Sequence, residues 1–112
     1  MTADIALDGR TLVGVANTEA GEVSGDTRFE FKQEGERIYA HYSGGDTVDG
    51  HHVGTFDSRT WDIRYTQINT RQETANRHSV GTVKLLDDGR VRVEDEWESQ
   101  PGSGNSILEE VP

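Results

Sequence analysis

Along almost the whole chain apolar and polar residues alternate with a period of two, and apolar residues at helical spacing form no convincing stretch. In residues 27–33, Phe29 and Phe31 fall on one face, with Arg28, Glu30 and Lys32 on the other. Residues 36–43 repeat the pattern, with Ile38, Ala40 and Tyr42 opposed to Arg37, Tyr39 and His41. The short turn at Glu34 and Gly35 joins these two runs as a hairpin. Residues 47–56 place Val48, Gly50, His52, Gly54 and Phe56 on one face. Residues 60–69 do the same with Trp61, Ile63, Tyr65 and Gln67. A long extended stretch, 73–86, runs into Asp87, Asp88 and Gly89, where Asp-Gly supplies the positive φ that tight hairpins require. Residues 90–98 then set Val91, Val93, Asp95 and Trp97 against Arg90, Arg92, Glu94, Glu96 and Glu98. A first strand over 10–17, a loop over 18–26, a flexible loop over 100–104 and a last strand over 105–111 complete the pattern.

About eight strands, with turn signals roughly every ten residues, predict an all-β domain. Successive hairpins favour an up-and-down order, and closing such a sheet into a barrel removes its exposed edges. Gly14, Gly50, Gly54 and Gly81 lie inside strands, where they suit the bends and close backbone approaches of a small barrel. The expected fold is therefore one antiparallel barrel spanning residues 1–112, closed in the manner of lipocalins and streptavidin. A two-sheet sandwich is the alternative. No linker or domain boundary is visible.

Composition narrows the setting. Hydrophobic residues make up 31% of the chain, against a globular norm of roughly 45–50% with glycine counted. The core must then be thin and built from strand faces. Phe29, Phe31, Phe56, Trp61 and Trp97 are its expected large members. Cysteine is absent, which excludes disulfides and thiolate metal sites and fits a cytoplasmic location. No apolar run approaches a membrane span, and the N-terminus carries no secretory pattern. The net charge is −10, with Lys32 and Lys84 the only lysines beside nine arginines. So acidic a surface repels phosphate backbones and anionic lipid, so neither nucleic acid nor membrane is an expected partner. The same balance fits a halophilic protein, whose self-repulsion salt would screen. An ordinary acidic bacterial protein is the alternative.

Candidate chemistry comes from polar residues on otherwise apolar faces. The face of Val91 and Val93 continues to Asp95, and that of Trp61, Ile63 and Tyr65 continues to Gln67. If the turn at Asp87 to Gly89 pairs Leu86 with Arg90, Asp95 lies opposite Gly81 and Trp97 opposite Ser79, with His78 diagonal to both. A carboxylate beside an imidazole would hold its tautomer and raise its pKa. His78, Asp95, Gln67, Tyr65 and Tyr42 are thus the candidate ligand-binding residues, expected at one barrel end. A structural polar pair plugging that end would use the same side chains. His51 and His52 are adjacent and point to opposite faces, and no HExxH or Cys/His pattern occurs, so no metal site is expected. No GxSxG elbow is present, and the glycine-rich turn at Ser43 to Asp46 lacks the following helix of a phosphate cradle.

Taken in order, several short runs span nearly the whole chain: Gly9, Arg10, Thr11; Tyr42, Ser43, Gly44, Gly45; Arg64, Tyr65, Thr66, Gln67, Ile68, Asn69, Thr70; His78, Ser79; Asp88, Gly89, Arg90; and Trp97. The set resembles a family of small, uncharacterised bacterial and archaeal proteins often labelled N-acetylglutamate synthase. The resemblance implies a compact β-barrel. The label implies acetyl transfer from acetyl-CoA, which needs a phosphate-cradling turn opening a helix, and this sequence has none. Before His78 the family carries Gly and Cys where this chain has Ala75, Asn76 and Arg77, so no thiol role is available.

The function expected from these residues is a non-enzymatic barrel that binds a small polar or amphipathic ligand at one end, without a cofactor. A small enzyme with His78 as base and Asp95 as orienter is the second reading. A protein-interaction module acting through the outer strand faces is the third.

Overall fold

The computed structural model describes residues 5–17, 25–98 and 103–111. Eight strands follow one another: β1 Thr11–Asn17, β2 Arg28–Glu34, β3 Arg37–Gly44, β4 Thr47–Phe56, β5 Thr60–Asn69, β6 Thr74–Leu85, β7 Val91–Glu98 and β8 Ser103–Glu110. Each pairs antiparallel with its successor, and β8 returns to pair with β1, so the sheet is a closed up-and-down barrel. That last ladder removes both edges and excludes the sandwich. No helix occurs among the described residues.

The turns carry the chemistry expected of them. Gly89 has φ 86°, its N–H donates to the Leu86 carbonyl, and Leu86 N–H donates to Arg90 across the hairpin at 2.8 Å. The resulting register pairs Gly81 with Asp95 and Ser79 with Trp97, as the turn predicts. At the turn into β5, the Asp57 carboxylate accepts from the backbone N–H groups of Arg59 and Thr60 at 3.0 and 2.7 Å. These bonds hold it below the usual carboxylate range.

Two boundaries differ from the sequence expectation. A bulge between Thr47 and Asp49 shifts the register at the start of β4. Thr47 therefore turns inward, and Val48, expected inside, is 54% exposed. One extra residue in a strand reverses the facing of what precedes it. Ser103 and Gly104, expected in a loop, belong to β8; the rest of that loop lies outside the described residues, as does most of the loop between β1 and β2.

Inside, an eight-stranded barrel is just wide enough for side chains to fill. Phe31 stacks on Trp61 at 5.5 Å and Phe29 on Tyr42 at 4.5 Å, contacts worth roughly 0.5–1.5 kcal/mol each beyond their buried area. One end is stoppered. Residues 5–10 cross it, held by Gly9 N–H to the Phe31 carbonyl at 2.9 Å and Leu7 N–H to the Gln33 side chain at 2.8 Å. This places Leu7 in the same buried core as Leu12. The opposite end, ringed by the ends of β3, β5 and β7 and the starts of β4, β6 and β8, is the mouth.

Candidate functional site

Most of the polar groups that the pleat buries lie toward the mouth. Tyr65, Ser106, Asp95 and Trp97 keep between 5% and 9% of their surface, whereas Trp61, Ile63, Val91 and Val93 deeper on β5 and β7 keep none. Two glycines make this arrangement possible. A Cβ on Gly81 would lie 2.6 Å from the Trp61 indole nitrogen, so only glycine lets that ring lie against β6. A Cβ on Gly50 would lie 2.3 Å from the Tyr42 ring, so only glycine lets Tyr42 cross β4.

Each ring thereby reaches a polar partner. The Trp61 indole N–H donates to Ser79 Oγ at 3.0 Å, and the Ser79 hydroxyl donates to Asp95 Oδ2 at 2.6 Å. The Ser106 hydroxyl donates to Asp95 Oδ1. Tyr42 donates its phenolic proton to Gln67 Oε1 at 2.8 Å. The Arg77 guanidinium lies over the Trp97 ring, 4.7 Å from its centroid, an arrangement favoured by the ring quadrupole.

Burial raises the Asp95 carboxyl above its ordinary range, while the two serine hydroxyls and a backbone N–H pull it partway back. Tyr65 is raised as well, chiefly by burial and then by the Asp95 charge, with a hydrogen bond from Arg77 opposing. Tyr65 therefore keeps its proton at neutral pH. Asp95 is a hydrogen-bond acceptor in a half-dry wall flanked by aromatic rings. Chemically, such a group receives N–H donors from a small molecule whose body lies on Tyr65 and Trp97.

Of the five residues singled out from the sequence, Tyr42, Tyr65, Gln67 and Asp95 share this interior. His78 does not. It faces outward, with Nε2 2.6 Å from Asp62 and Nδ1 3.4 Å from Glu98. The buried residues of β6 are Ser79, Gly81 and Val83, all of the opposite parity, so the pleat puts His78 on the other side of the wall from Asp95. The base-and-orienter pair is not formed.

Sequence reasoning assigned no chemistry to His52. It lies beneath the mouth, 4.7 Å from Tyr42, 4.9 Å from Tyr65 and 5.1 Å from Phe29 between ring centroids. Burial lowers its pKa to about 3, so the ring is neutral, and its Nδ1 has no hydrogen-bond partner among the described residues. The signal was its inward position on β4 beside Gly50 and Gly54.

Also missed was a convergence on the outer wall, where His41, Asp49 and His51 bring one ligand atom each within 4.8 Å of one another. Further along that wall a groove of about 700 Å³ is lined by residues including Val53, Arg64, Thr66, Asn76 and His78. Its lining is mostly outward-facing, meets the interior only at Tyr65 and Arg77, and contains neither Asp95 nor Gln67, so the polar interior rather than the groove is the candidate site.

Comparison with known proteins gives one result. Residues 5–111 match the family model described as Avidin-like protein. No curated protein and no solved structure matches the chain.

Proposed function

The chain belongs to the avidin-like family, and from that premise we propose that it is a non-enzymatic module binding a small amphipathic ligand at the barrel mouth. One observation carries the reading. Asp95 stands at the mouth as a buried acceptor whose two oxygens are each held by a serine hydroxyl. With two serine hydroxyls and the Ser106 backbone N–H engaging three of its roughly four acceptor positions, the carboxylate tolerates its site when empty and still accepts a further N–H group. Tyr65 and Trp97 offer apolar faces beside it, and Gln67 is fixed by Tyr42. The ligand this favours has N–H donors of urea or amide type on a compact apolar body. No acetyl transfer enters the reading, because no pyrophosphate cradle is present and −10 of net charge opposes coenzyme A.

Biotin, a cyclic urea with an apolar arm, has the required chemistry and is the first probe. Calorimetric titration should give one site per chain. Asp95→Asn should weaken it by roughly 10- to 100-fold, the usual worth of a hydrogen bond to a charged group, with the strand signal in circular dichroism unchanged. Failure of biotin and of a panel of other cyclic ureas and amides to bind, or an affinity indifferent to Asp95→Asn, would reject the assignment.

A further inference from the structure

We propose that the outer wall carries a second site, built from His41, Asp49 and His51, that holds one divalent transition-metal cation of the zinc type. His41 on β3 and His51 on β4 are direct partners in the ladder, and both point away from the barrel interior. Asp49 precedes His51 by two residues and lies beside the bulge that opens β4, the kind of irregularity that re-aims a side chain. Its Oδ1 sits between the two rings, 2.7 Å from His41 Nε2 and 3.4 Å from His51 Nε2. The two imidazole rings lie side by side, centroids 4.9 Å apart and planes tilted by 41°.

Those separations nearly suit a metal. Ligand atoms about 2.0–2.1 Å from a tetrahedral zinc stand roughly 3.3 Å from one another. The Asp49–His51 spacing already meets that value, and the Asp49–His41 spacing needs an opening of well under 1 Å. All three side chains are more than half exposed, so rotamer adjustment meets little resistance. Two nitrogens and one carboxylate oxygen select zinc, copper or nickel over calcium and magnesium, which take oxygen ligands. Three protein ligands leave the fourth position to water. Glu30 lies directly across from His41 on β2, and with the strongly acidic chain it raises the local cation concentration.

The other histidines offer no such set. The carboxylates beside His78 approach opposite ring nitrogens, Asp62 at Nε2 and Glu98 at Nδ1, and cannot meet on one ion. His52 is enclosed by aromatic rings. Among the described residues only His41, Asp49 and His51 converge.

The test is calorimetric titration of the whole chain with zinc chloride, paralleled by cobalt(II) as an optical probe. One saturable zinc equivalent should appear, and cobalt should develop the visible absorption of tetrahedral coordination. His41→Gln and His51→Gln should each weaken zinc by about tenfold or more and abolish the cobalt bands. His78→Gln should change neither. Melting temperature and circular dichroism check each variant's fold; Asp49→Asn provides a third removal of a ligand should either histidine variant misfold. Absence of saturable zinc binding would overturn the site. So would binding that survives the histidine substitutions, or that is lost equally with His78→Gln.

Discussion

The two ends of the barrel are made by the same strands and the same pleat, yet they are chemically opposite. At the stoppered end the inward side chains are hydrocarbon or indole: Leu7, Leu12, Phe31, Trp61 and Val91, all essentially without exposure. At the mouth they are Tyr65, Gln67, Asp95 and Ser106, each with a polar atom in the wall. The buried side chains of an apolar end are completed chiefly by packing. A polar end needs a partner for every buried group, and the partners here are neighbouring side chains that leave acceptor capacity over. The contrast teaches where the fold keeps its stability and where it keeps room for recognition.

The strongest way to break the contrast is from below. Trp61→Ala should cost about 3–5 kcal/mol in chemical denaturation, the range for deleting a buried tryptophan or phenylalanine, and should strand Ser79 without its donor. A loss under about 1 kcal/mol would mean that this ring does not hold the barrel together. Acid attacks the boundary between the two ends. His52 titrates at about 3 in the fold against an ordinary value of 6.5, so between those values the unfolded chain binds the extra proton. Stability should fall by about 3 kcal/mol from pH 7 to pH 4. Asp95, raised by burial, acts in the opposite sense, since the folded form takes up its proton first and gains stability as pH falls. Denaturant midpoints should therefore fall further for wild type than for His52→Phe between pH 7 and pH 4, shifting their difference by about 3 kcal/mol in the variant's favour, or the ring is not buried neutral.

Smaller effects sharpen the contrast at the mouth. Asp95→Asn should move stability by no more than about 1 kcal/mol, because removing a partly desolvated charge offsets an imperfect hydrogen bond, while its effect on affinity is large. The smallest change is expected on the outer wall. His78→Ala breaks partly solvated contacts to Asp62 and Glu98 and should cost about 0.5 kcal/mol or less, the scale of surface ion pairs. A cost near that of Trp61→Ala would reverse the reading of His78 as an outer-face residue.

Most of the fold was legible in the sequence because a strand's period of two is written directly into it. Phe29, Phe31, Ile38, Tyr42, Trp61, Ile63, Val91 and Val93 lie inside as their alternation demanded, and the Asp-Gly turn set the register of β6 against β7. The candidate site was half legible. Asp95, Gln67, Tyr65 and Tyr42 follow from inward parity alone. His78 was misplaced, although the register that puts Ser79 inside beside Trp97 already puts its neighbour outside. Val48 could not be placed by alternation, because the bulge that turns it out depends on the geometry of the preceding turn. There Gly44 has φ 120° and a Cβ would meet the Asp26 carbonyl. The meeting of His41, Asp49 and His51 needs knowledge of which residues face one another across β3 and β4, information that local spacing does not hold.

The path from Trp61 through Ser79 to Asp95 also has an optical meaning. The chain has two tryptophans. One shares its indole proton with the hydroxyl that holds the Asp95 carboxylate, and the other lies beneath the Arg77 guanidinium at the same mouth. Indole emission responds to its hydrogen bond and to nearby charge, so both fluorophores stand where a change of occupancy or protonation is felt. The barrel thus carries its own dye, and its untreated fluorescence reports on the mouth without a label.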